Sequence, residues 1–137
     1  MTGVGRVGGA ALIGVVCGMR SAMGPAVLAW RGRLGGASTG RLLMAAAAGE
    51  AVADKTPVVP PRTSAPALAG RVLSGAVCGR TVGGTPGVVA GALGALAGTF
   101  GAYHARAALG EATGLPDPLL GVGEDALALG LAALATR

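Results

Sequence analysis

From Thr81 to Ala105 the chain reads TVGGTPGVVAGALGALAGTFGAYHA, with no formally charged residue and with glycine returning at steps of three and four. Proline lacks a backbone donor and cannot continue a helix that runs into it, so the helix-competent part of this stretch begins after Pro86. From Gly87 to Ala105 the rise of about 1.5 Å per residue is enough to cross roughly 30 Å of hydrocarbon. Gly84, Gly87, Gly91, Gly94, Gly98 and Gly101 fall on one face of such a helix, and Ala105 and Ala108 continue the row. A seam without side chains lets another helix approach closely enough for van der Waals and weak backbone contacts to hold the pair. Two readings of the seam stay open: packing inside the subunit, or an interface between subunits. Gly14 and Gly18 form a weaker pair of the same kind.

The rest of the chain has the same character. Of 137 residues, 52% are hydrophobic, 12% charged and 2% aromatic. A soluble domain carries about twice that share of charge. The 27 glycines follow no Gly-X-Y period and sit inside apolar runs, which excludes both collagen and a flexible linker. Three further apolar stretches carry polar stations: Val7 to Trp30 contains Arg20, Leu42 to Ala53 contains Glu50, and Leu119 to Thr136 contains Glu124 and Asp125. The expectation is an all-α polytopic membrane bundle of about four segments, with Gly- and Pro-interrupted helices, forming a single domain over residues 1–137. Arg6 followed by VGGAALIGVV has the outline of a signal peptide, but no small-x-small site precedes Arg20, so a retained first helix is expected. Arginines and a lysine follow both of the first two segments, and the charge pattern favours neither orientation.

A repeat runs through the chain. VCGMRSAMGP at Val16 to Pro25 and VCGRTVGGTP at Val77 to Pro86 share Val, Cys, Gly and Pro at one offset, and Gly14 matches Gly75 by the same shift. GEAVAD from Gly49 and GEDALA from Gly123 follow in the same order. This predicts repeat halves 1–66 and 67–137, each a glycine-rich helix that breaks near a proline and is followed by a helix bearing acids. Duplicated, interrupted helices are a recurring transporter plan, in which the broken ends aim dipoles and backbone groups at an internal site.

The charges of GEAVADKTPVVPPR bear on that site. Glu50 and Asp54 are four apart and share a helix face, and Lys55 lies beside them where the helix should end before Pro57. Asp54 and Lys55 fit a helix end at the aqueous boundary. Glu50 sits deeper, where an acid within a membrane is costly and usually finds a partner inside the bundle. Arg20 is its natural cation, and Glu124 with Asp125 are the matching acids of the second half.

The blocks GMRSAMGPA, GEAVADKTPVVPPRT, AGRVLSGAVCG and GEDALALG together span nearly the whole chain. In this combination the sequence resembles a family of small bacterial membrane proteins catalogued as a domain of unknown function. The resemblance implies a polytopic inner-membrane protein whose recurring motif positions are Arg20, Ser21, Glu50, Asp54, Lys55, Pro57, Arg62, Arg71, Glu124 and Asp125. It implies no reaction.

Other chemistries find little support. Cys17 and Cys78 have no metal-ligand spacing and read as small core residues. His104, the one histidine, falls at a helix end, and no GxSxG elbow accompanies it. Neither a metal nor another cofactor is expected, since the acids select no cation over a salt bridge. No phosphate-binding loop is present. A net charge of +5 from scattered arginines, with almost no aromatic residues, points to anionic lipid headgroups and not to nucleic acid. Two functions remain. One is a transporter or channel type moving an ion or small polar solute past the charged residues. The other is a non-catalytic structural subunit assembled through the glycine seam. An enzyme is not expected, a lipid-modifying activity being the weaker third option. Four short helices enclose little volume, which favours a homo-oligomer.

Overall fold

A computed structural model of the chain describes residues 2–53 and 63–137, and among these all regular structure is helical. The elements are α1 (Gly3–Met19), α2 (Met23–Trp30), α3 (Ala37–Ala53), α4 (Ala65–Thr113) and α5 (Asp117–Ala135). Local chemistry sets several of the ends. The Thr2 hydroxyl caps α1 by accepting from the Gly5 amide, and α4 starts with Pro66, whose missing donor costs nothing in a first turn. Gly114 closes α4 in the left-handed region, its amide donating to the Gly110 carbonyl. Asp117 sits in the first turn of α5, where a negative charge complements the helix dipole.

The helix α4 is folded double. Gly84 has φ 69° and ψ −150°, a conformation only glycine adopts readily, and Pro86 follows it. On either side of this reversal, a Cβ placed on Gly79 would overlap the Gly87 carbonyl, and one placed on Gly91 would overlap the Gly75 carbonyl. The two legs, 65–83 and 85–113, are thus antiparallel and in backbone contact. α1 lies against both. It runs opposite to the first leg, with Arg6 beside Val82 and Gly18 beside Arg71. It runs along the second leg, with the carbonyls of Ala11 and Val15 abutting Gly94 and Gly98. α5 packs antiparallel to α1, placing Ala135 by Gly9 and Asp125 by Arg20.

The glycine seam therefore lies within the chain. Gly87 and Gly91 meet the first leg of α4, while Gly94 and Gly98 meet α1. Gly14 and Gly75, equivalent in the repeat, both abut the Gly91 carbonyl, and the equivalent Cys17 and Cys78 both lie beside Gly24. Gly84 serves as the reversal, and nothing lies within 4 Å of a Cβ built on Gly101. Substituting Gly101→Ala is accordingly expected to leave the fold intact and raise stability by roughly 0.5–1 kcal/mol, the usual gain for alanine over glycine in an open helix position. Thermal unfolding in detergent checks this, and a large drop in midpoint would mean that Gly101 has a close neighbour after all.

The expectation of about four membrane segments is corrected. Among the described residues, two helices, Ala65–Thr113 and Asp117–Ala135, are long and apolar enough to cross a membrane. The stretch read as one segment from Val7 to Trp30 breaks at Arg20, leaving helices of 17 and 8 residues. α3 is described over 17 residues and carries Arg41 and Glu50. The core is built of small side chains around Ile13, Val16, Leu28, Val82 and the two cysteines.

Candidate functional site

The interruption between α1 and α2 organises the polar interior. After Met19, Arg20 is extended (φ −141°, ψ 109°), and α2 then turns back so that Gly24 rests on Cys17. A break of this kind frees carbonyls at the end of one helix and amides at the start of the next, and both must find partners if buried.

Side chains from three other segments meet those groups. Arg71, on the first leg of α4, donates through Nη1 to the carbonyls of Gly18 (2.6 Å) and Met19 (2.9 Å). Thr99, on the second leg, places its hydroxyl 3.1 Å from the Gly18 carbonyl and 2.8 Å from that of Ala95. Ser74, one turn beyond Arg71, donates to the Ser21 carbonyl at 2.6 Å. At the start of α2 the Glu50 carboxylate accepts from the Ser21 amide (3.0 Å), the Ser21 hydroxyl (2.9 Å) and the Ala22 amide (2.9 Å). A cation therefore faces the carbonyl end of α1 and an anion the amide end of α2, the arrangement that both helix dipoles favour.

Among the described residues, two ion pairs add to the layer. Arg71 Nη2 lies 3.5 Å from Glu50 Oε1, so one guanidinium bridges the two sides of the break. Arg20, 1% exposed, donates through Nε to Asp125 Oδ1 on α5 at 2.5 Å. Charges this deep are tolerable only when paired and hydrogen-bonded, and burial makes their geometry restrictive.

The pairing differs from the expectation. Arg20 was to be the counter-ion of Glu50, whereas Glu50 pairs with Arg71 and Arg20 with Asp125. The reason is geometric: the α1 chain extends at Arg20, sending its side chain toward α5 while its neighbours Ser21 and Ala22 present their amides to α3. Among the described residues, Glu124 meets a different cluster. It accepts from Arg106 Nη1 at 3.2 Å, and Arg106 also grips Asp117 in a two-pronged contact at 2.8 and 2.7 Å. That second cluster ties the turn between α4 and α5 and borders a cleft of about 350 Å³ lined by Met19, Leu109, Leu119 and Leu120. Asp54, Lys55, Pro57 and Arg62 lie outside the described residues.

Ser74, Thr99, Arg106 and Asp117 were not singled out from sequence. Ser74 had a signal, since it is three residues from Arg71 and shares its face. Thr99 directly follows a seam glycine, but only the crossing with α1 reveals its role. Cys17 and Cys78 are buried and free, and His104 is exposed, edge-on to Tyr103 at 5.3 Å between ring centroids. Among the described residues no group of three or more His, Cys, Asp or Glu side chains gathers around a possible metal position.

The chain matches no protein-family model, no curated protein and no solved structure.

Proposed function

We propose that this chain is a small multi-pass membrane protein of transporter or channel type, moving an ion or small polar solute past the charged layer at the α1–α2 break. The observation that carries the proposal is the break itself: an interrupted helix whose free carbonyls and amides face Arg71 and Glu50, with a second ion pair, Arg20 and Asp125, alongside. Backbone of this kind, opened within an apolar bundle and bordered by ionisable groups, is how helical transporters bind and release polar cargo.

Membrane insertion rests on the surface. Of the apolar windows in Ala65–Thr113 and Asp117–Ala135, 33% and 22% is buried, less than is expected of the core helix of a soluble protein. Leu73, Val89, Leu93, Leu127 and Leu129 are all more than half exposed. A contiguous apolar exterior of this extent calls for lipid or another subunit. The fold at Gly84 also gives α4 two legs, roughly 30 and 40 Å long at about 1.5 Å per residue, each sufficient to span. α1 and the first leg, which carry the repeated VCG motifs, run in opposite directions, as the halves of inverted-repeat transporters do. One end of the bundle gathers Arg6, Arg80 and Arg137 with no acid among the described residues, whereas the other carries Arg106 with Glu111 and Asp117. Among the described residues, the three arginines at that end against one at the other favour a cytoplasmic position for the Arg6 end. A bacterial inner membrane follows from the motif resemblance. Homo-oligomerisation belongs to the same proposal and is supported by α3, which packs mainly on α2 and leaves Leu42, Met44 and Val52 exposed. Assembly through the glycine seam loses support, because Gly87, Gly91, Gly94 and Gly98 are already in contact within the chain.

Purified protein in sealed vesicles is expected to raise the flux of a proton, an alkali cation, a halide or a small polar solute above that of protein-free vesicles. The Glu50→Gln variant keeps one of the two oxygens that accept from Ser21 and Ala22 and loses the charge opposite Arg71, and in protein that stays folded it should remove most of that flux. Unchanged flux in a folded Glu50→Gln protein, or no flux for any of these solutes, counts against transport and in favour of a structural subunit.

A further inference from the structure

At the turn joining α2 to α3, the sole tryptophan of the chain stands beside three arginines. Trp30 is 77% exposed, and Arg31, Arg33 and Arg41 are exposed around it. The turn is shaped by Gly32 and Gly35, both at φ 67°, and by the Arg33 amide donating to the Leu28 carbonyl. Between the turn and the start of α3 lies an open cleft of about 570 Å³, lined by Trp30, Gly32, Gly36, Arg41 and Met44 among others. Residues 1–49 contain no Asp or Glu, and Glu50, the first acid, is engaged with Ser21, Ala22 and Arg71. The cationic charge here has no local counterion in the sequence around it.

We infer that this turn is a docking surface for the headgroups of anionic phospholipids, with Trp30 at the boundary between headgroup and hydrocarbon and the arginines on the phosphates. This rests on the membrane reading given above and adds to it a partner and a depth. Three features favour a lipid surface over any other anion. Tryptophan combines an apolar ring with one polar N–H, and is enriched at membrane boundaries for that reason. Arg41 is followed directly on α3 by Leu42 and Met44, both exposed, so the cationic row adjoins an apolar band with no polar gap. The lengths also agree. α2 has 8 residues, or about 12 Å at 1.5 Å per residue, and Arg41 to Glu50 spans about 14 Å. With the turn at the headgroup boundary of a core roughly 30 Å thick, both helices reach about half-way across, where Glu50 meets Ser21 and Ala22. The α2–α3 pair then forms a half-membrane hairpin carrying the polar layer near the midplane, closed at its inner end by the Glu50 contacts.

Trp30 is a specific reporter because no other tryptophan competes with it. The intact protein is reconstituted with either brominated phosphatidylglycerol or brominated phosphatidylcholine, and the quenching of its tryptophan fluorescence is compared. Quenching by the anionic lipid is expected at about five-fold or more lower mole fraction than by the zwitterionic one, in keeping with the attraction of each exposed arginine to an anionic surface. The triple variant Arg31→Gln, Arg33→Gln, Arg41→Gln alters only exposed side chains and should bring the two lipids level. Arg137→Gln, at the chain end, should leave the preference unchanged. Equal quenching of the unaltered protein by both lipids, or a preference that survives the triple substitution, overturns the proposal. Absence of quenching by either lipid, in protein that still resists alkaline carbonate extraction, overturns it while leaving the membrane reading standing. Release of the protein by carbonate refutes both.

Discussion

Replacing Gly91 by alanine is expected to prevent assembly of the bundle. A Cβ at this position would overlap the Gly75 carbonyl and approach the Gly79 Cα, and the prospective Cβ atoms of Gly14 and Gly75 in turn fall on the Gly91 backbone. Three helical segments, α1 and both legs of α4, thus meet at one residue through their main chains. Overpacking against a movable side chain costs about 1–3 kcal/mol, and here the obstacle is backbone on helices that cannot shift without losing their other contacts. A loss at or beyond about 3 kcal/mol is a large part of the roughly 5–15 kcal/mol that holds an ordinary domain together. The protein should express poorly, or elute from size exclusion as aggregate. Gly101→Ala, on the same helix but in open space, provides the control. A Gly91→Ala protein with the unaltered melting midpoint contradicts the crossing.

The second large effect is expected from Arg71→Met. The arginine is 6% exposed, and its loss removes donors from the Gly18 and Met19 carbonyls while leaving the Glu50 carboxylate without the guanidinium. Removing one member of a buried pair typically costs about 3–5 kcal/mol, because the partner's charge stays buried. Lysine is a poor substitute, since one ammonium cannot reproduce the fork that reaches both carbonyls and the carboxylate. Combining Arg71→Met with Glu50→Leu should restore part of the loss by removing the orphaned charge. It should not restore all of it, as Ser21 and Ala22 would then lack their acceptor. Thermal unfolding of the three proteins settles the order. Stability of Arg71→Met equal to that of the unaltered chain would mean that the guanidinium does not bridge the break.

Much of this fold is legible in the sequence because its contacts depend on absence. The row Gly87, Gly91, Gly94, Gly98 announces a close helix approach whatever the partner, and a charge-free run fixes the element as helical in an apolar setting. The repeat predicts a break near a proline in each half; one break does lie beside Pro86, whereas the other falls at Arg20, ahead of Pro25, which sits inside α2. Lengths and pairings are less accessible. Nothing local distinguishes an arginine that stays on a helix from one at which the helix stops, so Val7 to Trp30 reads as one segment, although the backbone extends at Arg20. The reversal at Gly84 is equally hidden among many glycines, since a positive φ is allowed at all of them and required only where two legs must fold together. Ion pairing is decided by crossings between residues far apart in the chain. Arg20 and Asp125 are 105 residues apart, and Glu50 and Arg71 come together only because α3 returns to the start of α2. The repeat likewise suggests equivalent roles for Glu50 and Glu124, yet among the described residues Glu50 accepts amides at a helix break whereas Glu124 accepts from Arg106 near the α4–α5 turn.

Whether the α1–α2 break meets water inside a bilayer is tested most directly by Ser21→Cys in sealed vesicles, read with a membrane-impermeant thiosulfonate added to one face at a time. The native Cys17 and Cys78 are buried, so the unaltered protein serves as the blank. Ser21 lies within the polar layer, its hydroxyl on Glu50 and its carbonyl on Ser74. A polar pathway predicts labelling of the introduced thiol from one face, much faster than from the other. No labelling from either face of a folded protein, or equal labelling from both, contradicts a one-sided polar site within the membrane.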